Sequence, residues 1–212
     1  MNNKPTVSIA IGTTMFARYA DLPNTVSHAI AEFIDNALQS YRNNKDYFQS
    51  TNPDFRFKVT IDFNWNTDDN RARKITISDN AGGLNFASFQ KAFMTAEMPE
   101  DNKGLNEFGM GMKTAAGWLG NKWSVRTSAI GEPVERFYEF DLQYVLENDV
   151  KELPYDEIPS SESSHYTIVT IEEPTKNSPS QKSVDKIKLE LASIYRQSLR
   201  ANEMDLFVDG EP

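Results

Sequence analysis

The sequence predicts an α+β domain: a mixed, mostly antiparallel sheet covered by helices on one face. Three observations predict it. Segments that alternate apolar and polar residues stand next to one another in the chain, joined by short turns, which favours antiparallel pairing. Segments with helical spacing precede them, interrupt them and follow them. The order does not alternate strand and helix regularly, so a doubly wound parallel sheet is disfavoured.

The first element is "DLPNTVSHAIAEFIDNALQSYRNN", a long helix. Asp21 is the expected cap, Pro23 suits the first turn, and Val26, Ile30, Phe33, Ala37 and Tyr41 follow helical spacing. In "FRFKVTIDFNWN", Phe55, Phe57, Val59, Ile61, Phe63 and Trp65 share one face of a strand. "TDDNRAR" is a polar turn and "KITISD" the return strand. "NFASFQKAFM" reads as a short helix, "TAEMPEDNKGLNE" as a mobile loop and "GMKTAAGWLG" as a second helix. "KWSVRTSAI", "VERFYEFDL" and "YTIVTIE" read as strands, and the acidic "ENDVKELPYDEIPSSESS" as an irregular, solvated connection. "SVDKIKLELASIYRQSLRA" is a single helix with Ser183 as its expected cap. "LFVDG" rises as a strand with no chain left for its partner, so these residues are expected to be the front part of a longer protein. No repeats are evident.

Composition narrows the function classes. With 212 residues and 39% hydrophobic content, the chain can bury a sizeable core. It has no cysteine, which excludes disulfides, thiolate metal sites and cysteine nucleophiles. His28 and His165 are its only histidines; His28 reads as solvated and His165 as without a role. A net charge of −9 argues against binding nucleic acid, which requires neutralising phosphates. No membrane span or signal peptide is evident, and the expected location is the cytoplasm.

Three stretches carry candidate chemistry. In "EFIDN", Glu32 and Asn36 lie one helical turn apart at the edge of the apolar stripe. A carboxylate there could polarise water, and an amide oxygen could help bind a hard cation such as Mg²⁺. From the helix alone, a boundary pair on a solvated flank is the favoured reading. In "ISDNAGGLN", Asp79 ends a strand before Gly82, Gly83 and Leu84. Such a carboxylate can accept from an exocyclic amine like that of adenine, with glycines admitting a flat ligand; an ordinary Asp-Asn turn is the alternative. In "NEFGMGMKTAAGWLG", Gly109 and Gly111 precede a helix N-terminus, and Lys113 and Thr114 add a charge and a hydroxyl. The P-loop pattern fails because Met112 separates Gly111 from Lys113, and the dinucleotide pattern fails because Thr114 replaces its third glycine.

Taken together, in this order and spacing, the three stretches resemble the GHKL ATPase superfamily: gyrase B, heat-shock chaperone, histidine kinase and MutL-type proteins. "AIAEFIDNAL" resembles its N box, and "DNAGGL" and "EFGMGMKTAA" its two glycine boxes, within a resemblance covering residues 21 to 172. Residues 181–212 add a helix and a strand to the same domain. "FGMGMKTAAGWLG" followed by "KWSV" is most similar to the Microrchidia-like prokaryotic branch.

The resemblance implies the Bergerat fold, with ATP and Mg²⁺ as cofactors. By it, Glu32 is the general base and Asn36 the Mg²⁺ ligand. Asp79 accepts from adenine, Gly83 and Leu84 floor the base pocket, and Thr167 supports Asp79. Phe108, Gly109, Met110, Gly111, Met112, Lys113 and Thr114 wrap the phosphates, under a lid formed by residues 94 to 108. It also implies a nucleotide-dependent homodimer and a protein partner or downstream domain. Two positions depart from the pattern: Ala81 stands where the first glycine of its box is usual, and Tyr166 where glycine is frequent. Relatives in several branches take a γ-phosphate contact from a second domain, so turnover by this chain alone is expected to be weak or absent. Nucleotide-gated dimerisation and protein-kinase-type transfer on the same fold are the rival readings. No separate helical hairpin carries a phosphoaccepting histidine. Trp118 and Trp123 read as core residues.

Overall fold

A computed structural model describes residues 6–8, 13–93, 110–150 and 152–212. The strands are β1 (Thr6–Ser8), β2 (Lys58–Trp65), β3 (Ala72–Asp79), β4 (Gly120–Ser128), β5 (Val134–Asp141), β6 (Glu152–Pro159), β7 (Tyr166–Pro174) and β8 (Asp205–Val208). The helices are α1 (Val26–Asn43), α2 (Lys45–Thr51), α3 (Phe86–Phe93), α4 (Met110–Leu119), α5 (Leu142–Asn148), α6 (Val184–Ile194) and α7 (Arg196–Arg200), with a 3-10 helix over Thr13–Asp21. The strands form one sheet in the order β1-β6-β5-β4-β7-β3-β2-β8. Among the described residues, only β2 and β8 pair in parallel.

Alternation decides which face is covered. Val59 and Ile61 on β2, Ile75 and Ile77 on β3, Val125 on β4, Tyr138 on β5 and Val169 on β7 are buried on one side of the sheet. Ala29, Ile30, Phe33, Ile34 and Ala37 of α1 and Ala115, Ala116 and Leu119 of α4 join the same core. The opposite face carries ion pairs such as Lys74–Glu172 and Arg126–Glu135. A helix-covered, one-sided sheet is the α+β arrangement that the alternating strands predict.

Several local expectations change. α1 begins at Val26 and is capped by Thr25, whose extended backbone lets Oγ1 accept from the His28 N–H at 3.2 Å. Asp21 instead ends the preceding 3-10 helix and pairs with Lys176, so its carboxylate is committed elsewhere. The acidic stretch expected to be irregular takes in the end of α5 and the whole of β6. Asp141 caps α5 by accepting from the Tyr144 N–H. On β6, Leu153 and Tyr155 point into the core while most of the acidic residues lie outside, a short alternation hidden by the surrounding charge. The C-terminal helix is two helices broken at Tyr195, and the Ser183 hydroxyl donates to the Ser180 carbonyl rather than capping α6. β8 finds its partner upstream, along β2.

An ion cluster around the buried Arg136 positions α3. The Glu132 carboxylate accepts from the Phe86 N–H at 2.9 Å and pairs with Arg136. Arg136 is buried, also binds Glu157, and lies 5.3 Å from the Phe86 ring. This ties the start of α3 to the β4–β5 hairpin. His165 has a packing role as well: its Nδ1 lies 3.0 Å from the Asn80 carbonyl, and its ring meets Phe48 and Phe55 edge-on. His28 is exposed, and Trp118 and Trp123 are buried in the core.

Candidate functional site

Register places Asp79, Thr167 and Thr127 side by side on β3, β7 and β4. All three have the parity of the buried strand residues, so they face the helices. Above them opens a cavity of about 240 Å³ between the sheet and α1. Its lining includes Asn36, Asp79, Gly83, Leu84, Met112 and Thr167, with apolar walls from Phe33, Ala37, Val59, Ile77 and Val169.

Asp79 is the charged residue on the cavity floor. Its Oδ1 accepts from the Ala81 N–H at 2.9 Å. Burial raises its carboxyl to about 7, while hydrogen bonds from the Ala81 and Thr167 backbone N–H groups pull the other way. A buried carboxyl with this raised proton affinity is suited to a ligand that brings its own hydrogen-bond donor.

The turn after Asp79 explains the glycines individually. Gly83 has φ +70°, and a Cβ there would lie 1.9 Å from the Ser128 carbonyl oxygen. Both facts require glycine. Gly82 packs against Asn44, whose amide nitrogen would be 2.4 Å from a Cβ. Ala81 does not have positive φ and is fully buried, so the substitution of its glycine strains nothing.

The first and third motifs also meet. A Cβ on Gly111, in the first turn of α4, would lie 2.1 Å from Glu32 Oε2. Glycine therefore lets the Glu32 carboxylate rest against the α4 backbone. Partial burial, and then the negative charge of Asp35, raise the Glu32 carboxyl above the ordinary glutamate range. Glu32 itself is exposed and does not line the main cavity; Asn36, one turn on, does.

The remaining candidates divide. Met112 is buried and lines the main cavity, and Met110 opens α4. Lys113 is buried on another side of α4, in a second small cavity with Phe16, Tyr19, Trp123 and Phe140; burial lowers its ammonium to about 8. Thr114 is half-buried. Phe108, Gly109 and the expected lid, residues 94 to 108, lie outside the described residues. Among the described residues, no lysine or arginine lines the main cavity.

Other residues of the site are absent from the sequence reading. Thr127 is buried; its Oγ1 accepts from the Leu84 N–H at 2.9 Å and lies 3.2 Å from the Thr167 hydroxyl. It anchors the glycine turn to the sheet, and no local pattern marks it. Ser40 donates to the Gly83 carbonyl at 3.3 Å, and Asn44 caps the cavity rim. Asn36 and Ser40 on α1 and Asn44 at its C-cap recur every four residues, a polar row that helical spacing makes visible.

A family model described as Histidine kinase-, DNA gyrase B-, and HSP90-like ATPase matches residues 24–179. That span holds α1, the Asp79 turn, α4 and the paired Thr127 and Thr167. The chain belongs to this ATPase family. Its sheet and one-sided helices are consistent with the Bergerat fold of the family. A search of curated proteins gave no match. As a member of this GHKL-type family the chain is an ATP-binding domain, with ATPase activity implied by membership.

The residues present fit Mg-ATP. Asp79 offers an acceptor in the main cavity beside the apolar side chains of Val59, Ile77 and Val169, and Gly83 lets the turn after Asp79 pack against the Ser128 carbonyl. Asn36 offers a hard oxygen donor of the kind Mg²⁺ takes alongside phosphate oxygens. No helix of the described residues is long and apolar enough to cross a membrane.

Proposed function

We propose that this domain binds Mg-ATP in the main cavity and hydrolyses it slowly, using the cycle to close a lid and a homodimer. The observation that carries the reading is the buried Asp79 carboxyl in the main cavity, lined also by Asn36 and the Gly83 turn. Asp79 accepts from the adenine amine, and Thr167, beside it on β7, supports that contact. Gly83 and Leu84 form the floor of the base pocket. Asn36 is the protein ligand of Mg²⁺, which when bound supplies charge neutralisation at the phosphates.

Glu32 holds and polarises the attacking water. A carboxylate whose affinity for protons is raised is a stronger base than an ordinary glutamate. The glycine-rich stretch from Phe108 to Thr114 is assigned to wrap the phosphates, the first turn of α4 from Met110 onward supplying backbone N–H groups. Lys113 reaches them only if α4 or its side chain reorients, since it faces the second cavity here.

That placement favours a second reading, a nucleotide-gated dimerisation or interaction module with little turnover. With no basic side chain among the described lining, the γ-phosphate charge waits for a group from elsewhere. We also propose the Microrchidia-like prokaryotic branch, supported by "FGMGMKTAAGWLG" followed by "KWSV". Residues 1–212 then form one ATP-binding domain, with the cytoplasm as its proposed location.

Turnover and dimerisation measured together with Glu32→Ala separate the readings. The ATPase reading expects phosphate release by the parent chain to fall at least about 100-fold, with nucleotide still bound. Unchanged dimerisation and unchanged function in the variant would favour the gated module.

A further inference from the structure

We infer that Tyr195, contributed by the C-terminal helices, is a positioning residue for Glu32 that acts through Asp35. The inference rests on the reading of Glu32 as the base. Tyr195 lies beyond the span matched by the family model, at the break between α6 and α7. Its ring is buried and its hydroxyl is committed to α1: it donates to Asp35 Oδ1 at 2.7 Å and lies 3.0 Å from the Ala31 carbonyl oxygen. Asp35 follows Glu32 by three residues, on the same side of α1.

The contact is the middle one of three polar ties along α1. Before it, the Ser27 hydroxyl donates to Glu190 at 2.6 Å. After it, Arg42 binds Glu203 at 2.8 Å and the Ser198 hydroxyl at 3.4 Å. The outer ties fix the C-terminal helices against α1. The middle one ends on the carboxylate beside Glu32.

Like charges three residues apart repel, and an unheld aspartate would relieve this by swinging into water. Held by Tyr195, Asp35 keeps its charge facing Glu32. Asp35 is one of the two causes that raise the Glu32 carboxyl, burial being the larger. The charged and titratable groups in this neighbourhood include His28 one turn before and Asp35 one turn after Glu32 on α1, the Tyr195 phenol from the C-terminal helices, and Arg42, which acts on Asp35. From α4, Glu32 meets the Gly111 backbone. The Tyr195 hydroxyl thus contributes to the basicity of Glu32 through Asp35, without touching substrate.

The test is a carbon-13 NMR titration of glutamate side-chain carboxyls in the folded 212-residue domain. The Glu32 signal is assigned by its loss in Glu32→Gln. Asp35→Asn keeps an acceptor for Tyr195 but removes the charge, and is expected to move the Glu32 midpoint to lower pH. Tyr195→Phe keeps the ring and its packing and is expected to move the midpoint in the same direction, by less. Added to Asp35→Asn, it should move the midpoint no further. With Mg-ATP, Tyr195→Phe should lower kcat about threefold or more and leave Kd unchanged. A Glu32 midpoint identical in Tyr195→Phe and the parent chain overturns the inference. Failure of the parent chain to bind Mg-ATP overturns the reading of the site instead, and the titration still decides whether Tyr195 and Asp35 act on Glu32.

Discussion

At the scale of single residues, Asp79 carries opposed demands. Its carboxyl near 7 in the folded chain compares with about 3.9 in an unfolded one. The folded state therefore holds a proton that the unfolded state has released. Stability is undiminished below pH about 4 and falls as pH rises from there to about 7. Asp79→Asn removes this loss. Thermal melts without nucleotide should show no advantage for the variant near pH 4, a growing one up to pH 7, and a constant one above. Equal melting of the two proteins at pH 8 would contradict the burial assigned to this group.

Gly111 gives a second residue-scale prediction. The Cβ of Gly111→Ala meets the flexible end of Glu32, not backbone, so the helix survives. Alanine also favours helix over glycine by up to about 1 kcal/mol. The variant is expected to melt at or above the parent temperature while turnover falls at least about tenfold, because Glu32 is displaced. Loss of both stability and turnover would mean that the contact is structural. The residue scale is also where the sequence was most legible. Asn36, Asp79, Gly83, Leu84, Met112 and Thr167 stand around one cavity, because short motifs fix local geometry. Thr127 and Lys113 were less legible: which side chain a buried strand or helix directs to the ligand depends on its packing partners.

At the scale of elements, α1 is the central support, since it bears Glu32, Asn36 and Ser40 on one helix. Its true start was hidden because Asp21 and Pro23 offer a helix-start signal as good as that of Thr25. The ion pair of Asp21 with Lys176, 155 residues away in sequence, settles the choice. Thr25→Ala should cost about 1 kcal/mol by chemical denaturation. An equal loss from Asp21→Ala, with none from Thr25→Ala, would reverse the assignment. β6 was missed for a different reason. Only Leu153 and Tyr155 mark its inner face, among acidic residues and two prolines, and its pairing with β5 and β1 supplies what local pattern lacks. The break at Tyr195 was likewise invisible, since it satisfies contacts with α1 rather than any local stop signal.

At the scale of the whole molecule, the sheet brings three strands distant in sequence into one row beneath α1, and that row makes the site. The chain carries −9 and ATP is itself an anion, so unscreened association is opposed. Removing Mg²⁺ with a chelator should weaken ATP binding about tenfold or more, and moderate salt should recover part of the loss. Affinity that is indifferent to Mg²⁺ would remove Asn36 from its assigned role. The central claim is that adenine docks on Asp79, and calorimetric titration of Mg-ATP and a non-hydrolysable analogue tests it most directly. The account predicts saturable binding of both by the parent chain and its loss in folded Asp79→Asn. Binding that survives the substitution unchanged would contradict it.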